Sequence, residues 1–326
     1  MSLPRLREIW CESMNESGYL QLHLARGIGP VTMRRILARL TQARTSVDEF
    51  LDLSAGEQVA RFGLARPQAH SLQAARAKIE KTRMELQQRG IKLLACTAPE
   101  YPGRLRHRLG NKTPPLLYAW GNLDLLQKNA VGFCGARNAS DQGLSVAQDC
   151  ATQIATWDWI VVSGGARGVD TTVHRTALES GGGTIIVLPE GILRYRLRSN
   201  LKPLVTSKNT MLVSEFPPYT SWSVANAMQR NQTVCGLSDA LVVIEAGASG
   251  GTFEAAKLAL RLKMPLFVAD YAEPANSAAG NTCFLARGAR ALRRSVTTGQ
   301  ANLEPLRRAV QVPPEAVHPA VQERLF

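Results

Sequence analysis

The chain has 326 residues, 45% hydrophobic and 20% charged, a balance that supports a full apolar core and excludes a disordered or fibrous polypeptide. Thirty-nine Lys and Arg against 26 Asp and Glu leave a formal net charge of +13, which favours a polyanionic partner, nucleic acid foremost. No apolar run approaches the roughly 20 residues a bilayer demands, so no membrane association is expected.

Arginine outnumbers lysine, which suits forked contacts to phosphate. The opening residues carry Arg5, Arg7 and Glu8, so no signal peptide is expected and the cytoplasm is the expected location. Cysteines at 11, 96, 134, 150, 235 and 283 form no CxxC pair and no Cys/His cluster, so no metal site is expected. Cys134, Cys235 and Cys283 lie in or beside apolar runs and read as buried thiols.

In chain order, residues 1–66 read as a small helical domain. Its apolar spacing stops at Gly27-Ile28-Gly29-Pro30 and restarts with Val31, Ile36, Leu37 and Leu40, the pattern of a helix-hairpin-helix or SAM-like unit. Such a glycine turn either offers amides to a DNA phosphate, with Arg34 or Arg35 adding charge, or only closes a packing hairpin. Residues 67–90 read as one long polar helix, with Leu72, Ala75, Ile79 and Met84 as a thin seam bridging two domains.

From residue 91 to 294 the rhythm is α/β. A strand fits 91–95, and Tyr101-Pro102 and Pro114-Pro115 mark turns and edges. Strands are predicted at 130–134, 159–162, 184–188, 211–214, 240–244 and 266–269. Helices fit 141–156, 170–180, 223–236 and 251–263. Continuous apolar strands separated by helices predict a parallel Rossmann-like sheet buried on both faces, with ligands beyond the strands' carboxyl ends. Residues 295–326, with Val312-Pro313-Pro314, read as a short extension.

The candidate site lies in the turns after the strands. Gly132-x-x-Gly135-x-Arg137, followed by Asn138 and Ser140, lacks the GxGxxG spacing, so no nicotinamide or flavin cofactor is expected. Its glycines free the backbone and Arg137 brings a forked donor. A second turn holds Ser163, Gly164, Gly165, Arg167 and Gly168, with Asp170 expected to N-cap a helix carrying His174. That histidine is read as fixing the turn. No serine or cysteine nucleophile stands in register, so no catalytic residue is expected. A basic run carries Arg194, Tyr195, Arg196, Arg198, Asn200 and Lys202, where cations track a backbone and an aromatic stacks on a base. Arg230 and Asn231 hold the next loop or touch a phosphate. Ser249, Gly250, Gly251 and Thr252 open a helix as another anion nest, and Glu254 is a dipole partner or a general acid/base.

Taken together, the motifs resemble the DprA/Smf family. They include Tyr101-Pro102, Leu116-Leu117-Tyr118-x-x-Gly121-Asn122, Gly135-x-Arg137 and Ser163-Gly164-x-Ala166-x-Gly168-Val169-Asp170-x-x-x-His174. They continue with Leu212-Val213-Ser214-Glu215, Arg230-Asn231, Leu237-Ser238-Asp239, Ser249-Gly250 and Gly280-Asn281. The resemblance implies an extended Rossmann-like fold and a basic pocket for single-stranded DNA. It also implies a homodimer and the loading of a RecA-type recombinase in natural transformation, without enzymatic activity. There are departures. Gln232 replaces a third cation after Arg230-Asn231, the loop from Gly191 to Arg196 is more basic and lacks a proline, and the winged-helix tail of many members is absent or reduced. These point to a specialised relative, such as one serving in phage defence. Two other readings stay open. Gly250-Gly251-Thr252-x-Glu254 partly resembles the signature of lysine-decarboxylase-like nucleotide hydrolases. Alternatively, the chain is an antitoxin-like partner of a toxin.

Overall fold

The computed structural model describes residues 16–311. Cys11, the charged opening residues and Val312-Pro313-Pro314 lie outside them. Nine strands form one sheet: β1 (Ile91–Ala95), β2 (Leu116–Gly121), β3 (Ala130–Cys134), β4 (Ile160–Ser163), β5 (Gly183–Leu188), β6 (Thr210–Ser214), β7 (Ala240–Val243), β8 (Leu266–Ala269) and β9 (Arg290–Leu292). Their order across the sheet is β1-β2-β6-β5-β4-β3-β7-β8-β9.

Strands β6 to β9 in that spatial order are mutually parallel, while β1 and β2 add an antiparallel edge. The antiparallel edge departs from the wholly parallel sheet expected from the sequence. β2 escaped the sequence reading because Pro114 and Pro115 suggest only a turn; they immediately precede the strand, where a missing N–H costs no ladder bond. Strand β9 is three residues long and half-polar, and short half-polar strands carry little periodic signal.

From β3 the chain winds through β4 and β5 to β6 on one side, then returns to place β7 on the other side of β3. The strand order therefore reverses at β3. Connections leave this point to opposite sides and open a crevice at the carboxyl ends of β3, β4 and β7.

Alternating side chains build two faces. Val131, Phe133 and Val161 pack against α7 (Asp141–Thr156) and α8 (Val169–Glu179). Ala130, Cys134, Ile160 and Val162 pack on the opposite face with α6 (Gly103–Leu109), α9 (Val224–Leu237) and α10 (Gly251–Arg261). Trp157 and Trp159 meet edge to face, 5.1 Å between ring centres, where α7 turns into β4. Cys134, Cys150 and Cys235 are buried free thiols, whereas Cys283 is only half-buried.

The amino-terminal helices are α1 (Glu16–Leu24), α2 (Pro30–Ala43), α3 (Val47–Asp52), α4 (Ala55–Phe62) and α5 (Arg66–Gln88). Reciprocal Ser46/Glu49 and Ser54/Glu57 capping boxes start α3 and α4. Gly27, at φ +82°, makes the α1–α2 turn, and its carbonyl accepts from Gln68 Nε2 at 2.8 Å. That turn is thus docked on α5. Leu20, Leu22, Ile36 and Leu72 share one core with Leu116, Tyr118, Ile186 and Leu188 of the sheet. Helix α5, expected as a bridge, packs against both α1 and β1. His23 Nδ1 and Tyr118 Oη pair at 2.8 Å and fasten α1 to β2, while Gln21 Nε2 donates to the Leu72 carbonyl at 2.8 Å and fastens α1 to α5.

Residues 295–311, expected as an extension, return to the sheet. Ala301 bridges to Arg294, and α12 (Glu304–Gln311) buries Leu306 beside Leu303, Phe267 and Leu292. The sequence signal was diluted by a helix of eight residues with few apolar positions. Leu306→Ala removes a fully buried side chain and is expected to cost about 2–5 kcal/mol in denaturant unfolding. A loose extension leaves the midpoint unchanged.

Candidate nucleic-acid interface

The first two glycine turns follow adjacent strands and touch each other. Gly168 has φ +74°, and a Cβ there would overlap the carbonyls of Ala136 and Arg137. Val169 closes the contact by donating its amide to the Ala136 carbonyl at 3.4 Å. Gly135 lies against Val169 in turn, with no room for a side chain. The turns after β3 and β4 are therefore one structure, held at main-chain distance by two glycines.

Asp170 was expected to cap α8. Gly168 holds that position instead, and Asp170 sits in the first turn with Oδ2 accepting from the Ala166 amide at 3.2 Å. The reason is the positive φ at residue 168, which only glycine adopts without strain. His174 secures the same turn from below, as expected. Its Nε2 lies 2.6 Å from the Gly164 carbonyl and its Nδ1 2.6 Å from Thr184 Oγ1. A carbonyl only accepts, so Nε2 carries the proton, and the one hydroxyl proton of Thr184 is shared between Nδ1 and the Val161 carbonyl 2.8 Å away. Burial pushes this imidazole down to about 4, which keeps it neutral.

Arg230 is the floor of the crevice. It is 8% exposed, and a Cβ on Gly164 would overlap its guanidinium. Its Nη2 stands 4.0 Å from Asp170 Oδ2. Burial lowers the arginine's proton affinity and raises Asp170's pKa, and the two opposite charges partly offset both effects. Arg230 Nε has no hydrogen-bond partner among the described residues. Arg230 thus reaches the turn from beneath, through a glycine, and not from the rim. Beside it, Glu215 accepts from Gln229 and Thr233, each at 2.8 Å.

The basic run after β5 folds over the second turn. Arg198 Nε donates to the Gly165 carbonyl at 2.9 Å, and Tyr195 lies against Gly165 with its hydroxyl buried and unpartnered. Tyr195 walls the turn and is not an exposed stacking ring. Arg194, Arg196, Asn200 and Lys202 remain exposed, as do Arg137, Asn138 and Arg167. None of the five cations in that set forms an ion pair among the described residues.

Several candidates are committed elsewhere. Ser163 is 0% exposed and its hydroxyl donates to the Phe133 carbonyl at 2.7 Å, joining β4 to β3. Ser140 caps α7, and both its amide and its hydroxyl meet the buried carboxylate of Glu245 at 3.0 and 2.5 Å. A carboxylate therefore already occupies the start of α7, where an anion was expected. Thr252 Oγ1 donates to the Gly135 carbonyl at 3.1 Å, and Asn231 Nδ2 to the Gly251 carbonyl at 3.1 Å. The first bond brings the third turn, after β7, against the first turn, and the second holds α9 to the start of α10. Ser249 and Gly250 are exposed there, and α10 starts without a side-chain cap.

Glu254 forms an ion pair with Lys257 at 2.8 Å. It lines a separate recess of about 510 Å³ with Arg34, Glu215, Gln232 and Arg261, apart from the three glycine turns. No helix among the described residues is long and apolar enough to cross a membrane.

One residue escaped the sequence reading. Trp222, in the loop after β6, is 48% exposed, and the Arg137 guanidinium carbon lies 6.0 Å from its ring centre. The available signal was a tryptophan flanked by two serines, Ser221 and Ser223, in a loop.

Fold and site together define an open, Rossmann-like α/β protein with a basic crevice at the reversal of strand order. The comparisons agree. Residues 92–300, more than half of the chain, match the family described as DNA recombination-mediator protein A, and the chain belongs to that family. It is 28% identical over 192 residues to the DNA processing protein DprA of Bacillus subtilis, covering 58% of this chain and 64% of that one. It is 30% identical over 236 residues to a putative DNA processing protein DprA of Mycobacterium tuberculosis, covering 68% of this chain and 61% of that one. The chain thus spans less than two thirds of the length of these relatives. Among solved structures, DNA processing protein A of Streptococcus pneumoniae superposes with a TM-score of 0.72 at 22% identity, over 86% of this chain and 95% of that one. DNA processing protein A of Helicobacter pylori, reported for its single-stranded DNA binding mode, gives a TM-score of 0.54 at 25% identity, over 62% of this chain and 90% of that one.

Gly168→Ala is expected to lower stability by about 1–3 kcal/mol, read as a shifted denaturation midpoint, because φ is positive and two carbonyls fill the space. The histidine gives a pH signature. His174's folded value of about 4 lies below its ordinary 6.5, so its stabilising effect is complete above pH 6.5 and lost as pH falls towards 4. His174→Gln, whose amide still donates to Gly164, should flatten this decline relative to wild type; identical pH profiles would show that the ring is not held neutral.

Proposed function

We propose that the chain binds single-stranded DNA in this crevice, as the resemblance implies. The observation that carries the reading is Arg230, a buried cation whose guanidinium lies directly beneath Gly164 and whose Nε has no hydrogen-bond partner among the described residues. The nearest carboxylate, Asp170, stands 4.0 Å away, and Glu215 adds only a longer-range attraction, so the buried arginine is poorly compensated and a phosphate at the glycine turn supplies the missing partner. Around it, Arg137, Arg167, Arg194, Arg196 and Lys202 are exposed and form no ion pair among the described residues. The uncapped start of α10 adds its dipole.

Phosphate contacts carry no sequence information, so base preference is slight. The side chains of Ser140 and Ser163 are left out of the proposed contact set, because their hydroxyls already have partners. The family's description as a recombination mediator, and the single-stranded DNA binding mode reported for the Helicobacter pylori protein, support this assignment. Handing the strand to a RecA-type recombinase is the proposed next step. Nucleotide hydrolysis by Glu254 is not favoured, since that carboxylate is paired with Lys257 and faces another recess.

Fluorescence anisotropy with labelled oligo-dT at several salt concentrations tests the proposal. Affinity should fall linearly on a log–log plot, and Arg137→Ala should weaken binding and reduce the slope by about 0.7. Absence of binding by the wild type at low salt refutes the proposal.

A further inference from the structure

We infer that Trp222 is a base-stacking platform at the rim of the crevice, paired with Arg137 so that one nucleotide is held by its phosphate and its base together. The inference rests on the single-stranded DNA reading and names a residue and an interaction beyond it.

Three observations lead to it. The indole is 48% exposed in the loop joining β6 to α9, together with Tyr219 of that loop at 42% and Val224, the first residue of α9, at 67%. Exposing one large ring is ordinary, but here the backbone that carries it is tied down on both sides. Thr220's carbonyl accepts from the Gly191 amide at 2.9 Å, and Leu193's amide donates to the Pro218 carbonyl at 3.0 Å. On the other side Ser223 caps α9, and Asn226 Nδ2 reaches back to the Ser221 carbonyl at 3.2 Å. Tyr219 Oη donates to Glu85 Oε2 at 2.6 Å, fastening the loop to α5. A solvent-facing indole on a fixed loop is pre-organised for contact, because the ordering entropy of the backbone is already spent.

The second observation is the neighbour. Arg137 stands 6.0 Å from the indole centre, exposed and without an ion pair among the described residues. A guanidinium beside an indole puts a phosphate ligand next to an aromatic face, and successive nucleotides present those two groups in alternation. The third is that Tyr195, the aromatic which the basic run offered for stacking, has its hydroxyl buried against Gly165. The crevice thus keeps one exposed indole in reach of its leading arginine. Stacking on indole tolerates any base, which fits a site whose other contacts are phosphate-directed.

The test compares wild type, Trp222→Ala, Trp222→Phe and Arg137→Ala on oligo-dT and on an abasic strand of equal length. Trp222→Ala should bind oligo-dT about 5- to 100-fold more weakly with its salt slope unchanged, and Trp222→Phe should recover most of the affinity. On the abasic strand wild type and Trp222→Ala should bind alike, while Arg137→Ala remains weak on both. Oligo-dT, and not the abasic strand, should change the indole fluorescence that disappears in Trp222→Ala. Equal oligo-dT affinity for wild type and Trp222→Ala overturns the stacking assignment and leaves the DNA reading standing. A loss of equal size on the abasic strand does the same, since it reports a loop distortion. Absence of any strand binding by wild type overturns both.

Discussion

Burying a guanidinium is the costliest commitment in this molecule, and the surrounding architecture answers to it. Arg230 is delivered by α9 to the underside of the Gly164 turn, where any side chain larger than hydrogen would displace it. Asp170 offsets the charge from the first turn of α8 and also fixes the turn through the Ala166 amide. Gly168 lets α8 begin close enough for this to happen, and His174 props the same turn from within the core. Arg230 and Asp170 depend on each other, because removing one leaves the other as an uncompensated buried charge.

The sheet explains why these parts meet. Reversal of strand order at β3 leaves the turns after β3, β4 and β7 at one edge, with no connection crossing between them. A hydrogen bond from Thr252 then ties the third turn to the first, and one from Asn231 ties α9 to the third. The hydrophobic layers on both faces hold the edge rigid, so charges on the rim are set at fixed distances from the floor. The amino-terminal helices belong to the same body. Leu20, Leu72, Tyr118 and Ile186 form a single packed cluster, and Tyr219 links α5 to the loop that carries Trp222.

Electrostatically, the site separates two kinds of cation. Arg230 is buried, short of donors' partners and directed at one point; it is suited to a single phosphate. The exposed arginines and Lys202 are solvated and set a field, which brings a polyanion in quickly and weakens with salt. Glu245 shows the converse arrangement. It holds Ser140 and Ser277 and occupies the start of α7, so one helix terminus is closed to anions while α10 remains open.

Strand and helix positions were legible in the sequence because each is a local pattern. Continuous apolar runs marked β3 to β8, and glycine with polar residues marked the turns between strands and helices. Strand β1 was legible as well, but β2, β9 and α12 were not, since prolines or sparse apolar spacing masked them and only packing against the sheet stabilises them. The site divides the same way. Arg137 and the glycine turns stood out as sequence because their chemistry is carried by adjacent residues. The burial of Arg230, the diversion of Ser140 to Glu245 and of Ser163 to Phe133, and the approach of Trp222 to Arg137 join residues dozens of positions apart. The sequence determined which groups were available and at which strand ends they lie. Tertiary structure alone decided which of them remain free for a ligand, because a side chain's hydrogen bonds are claimed by whichever partners the fold brings within about 3 Å.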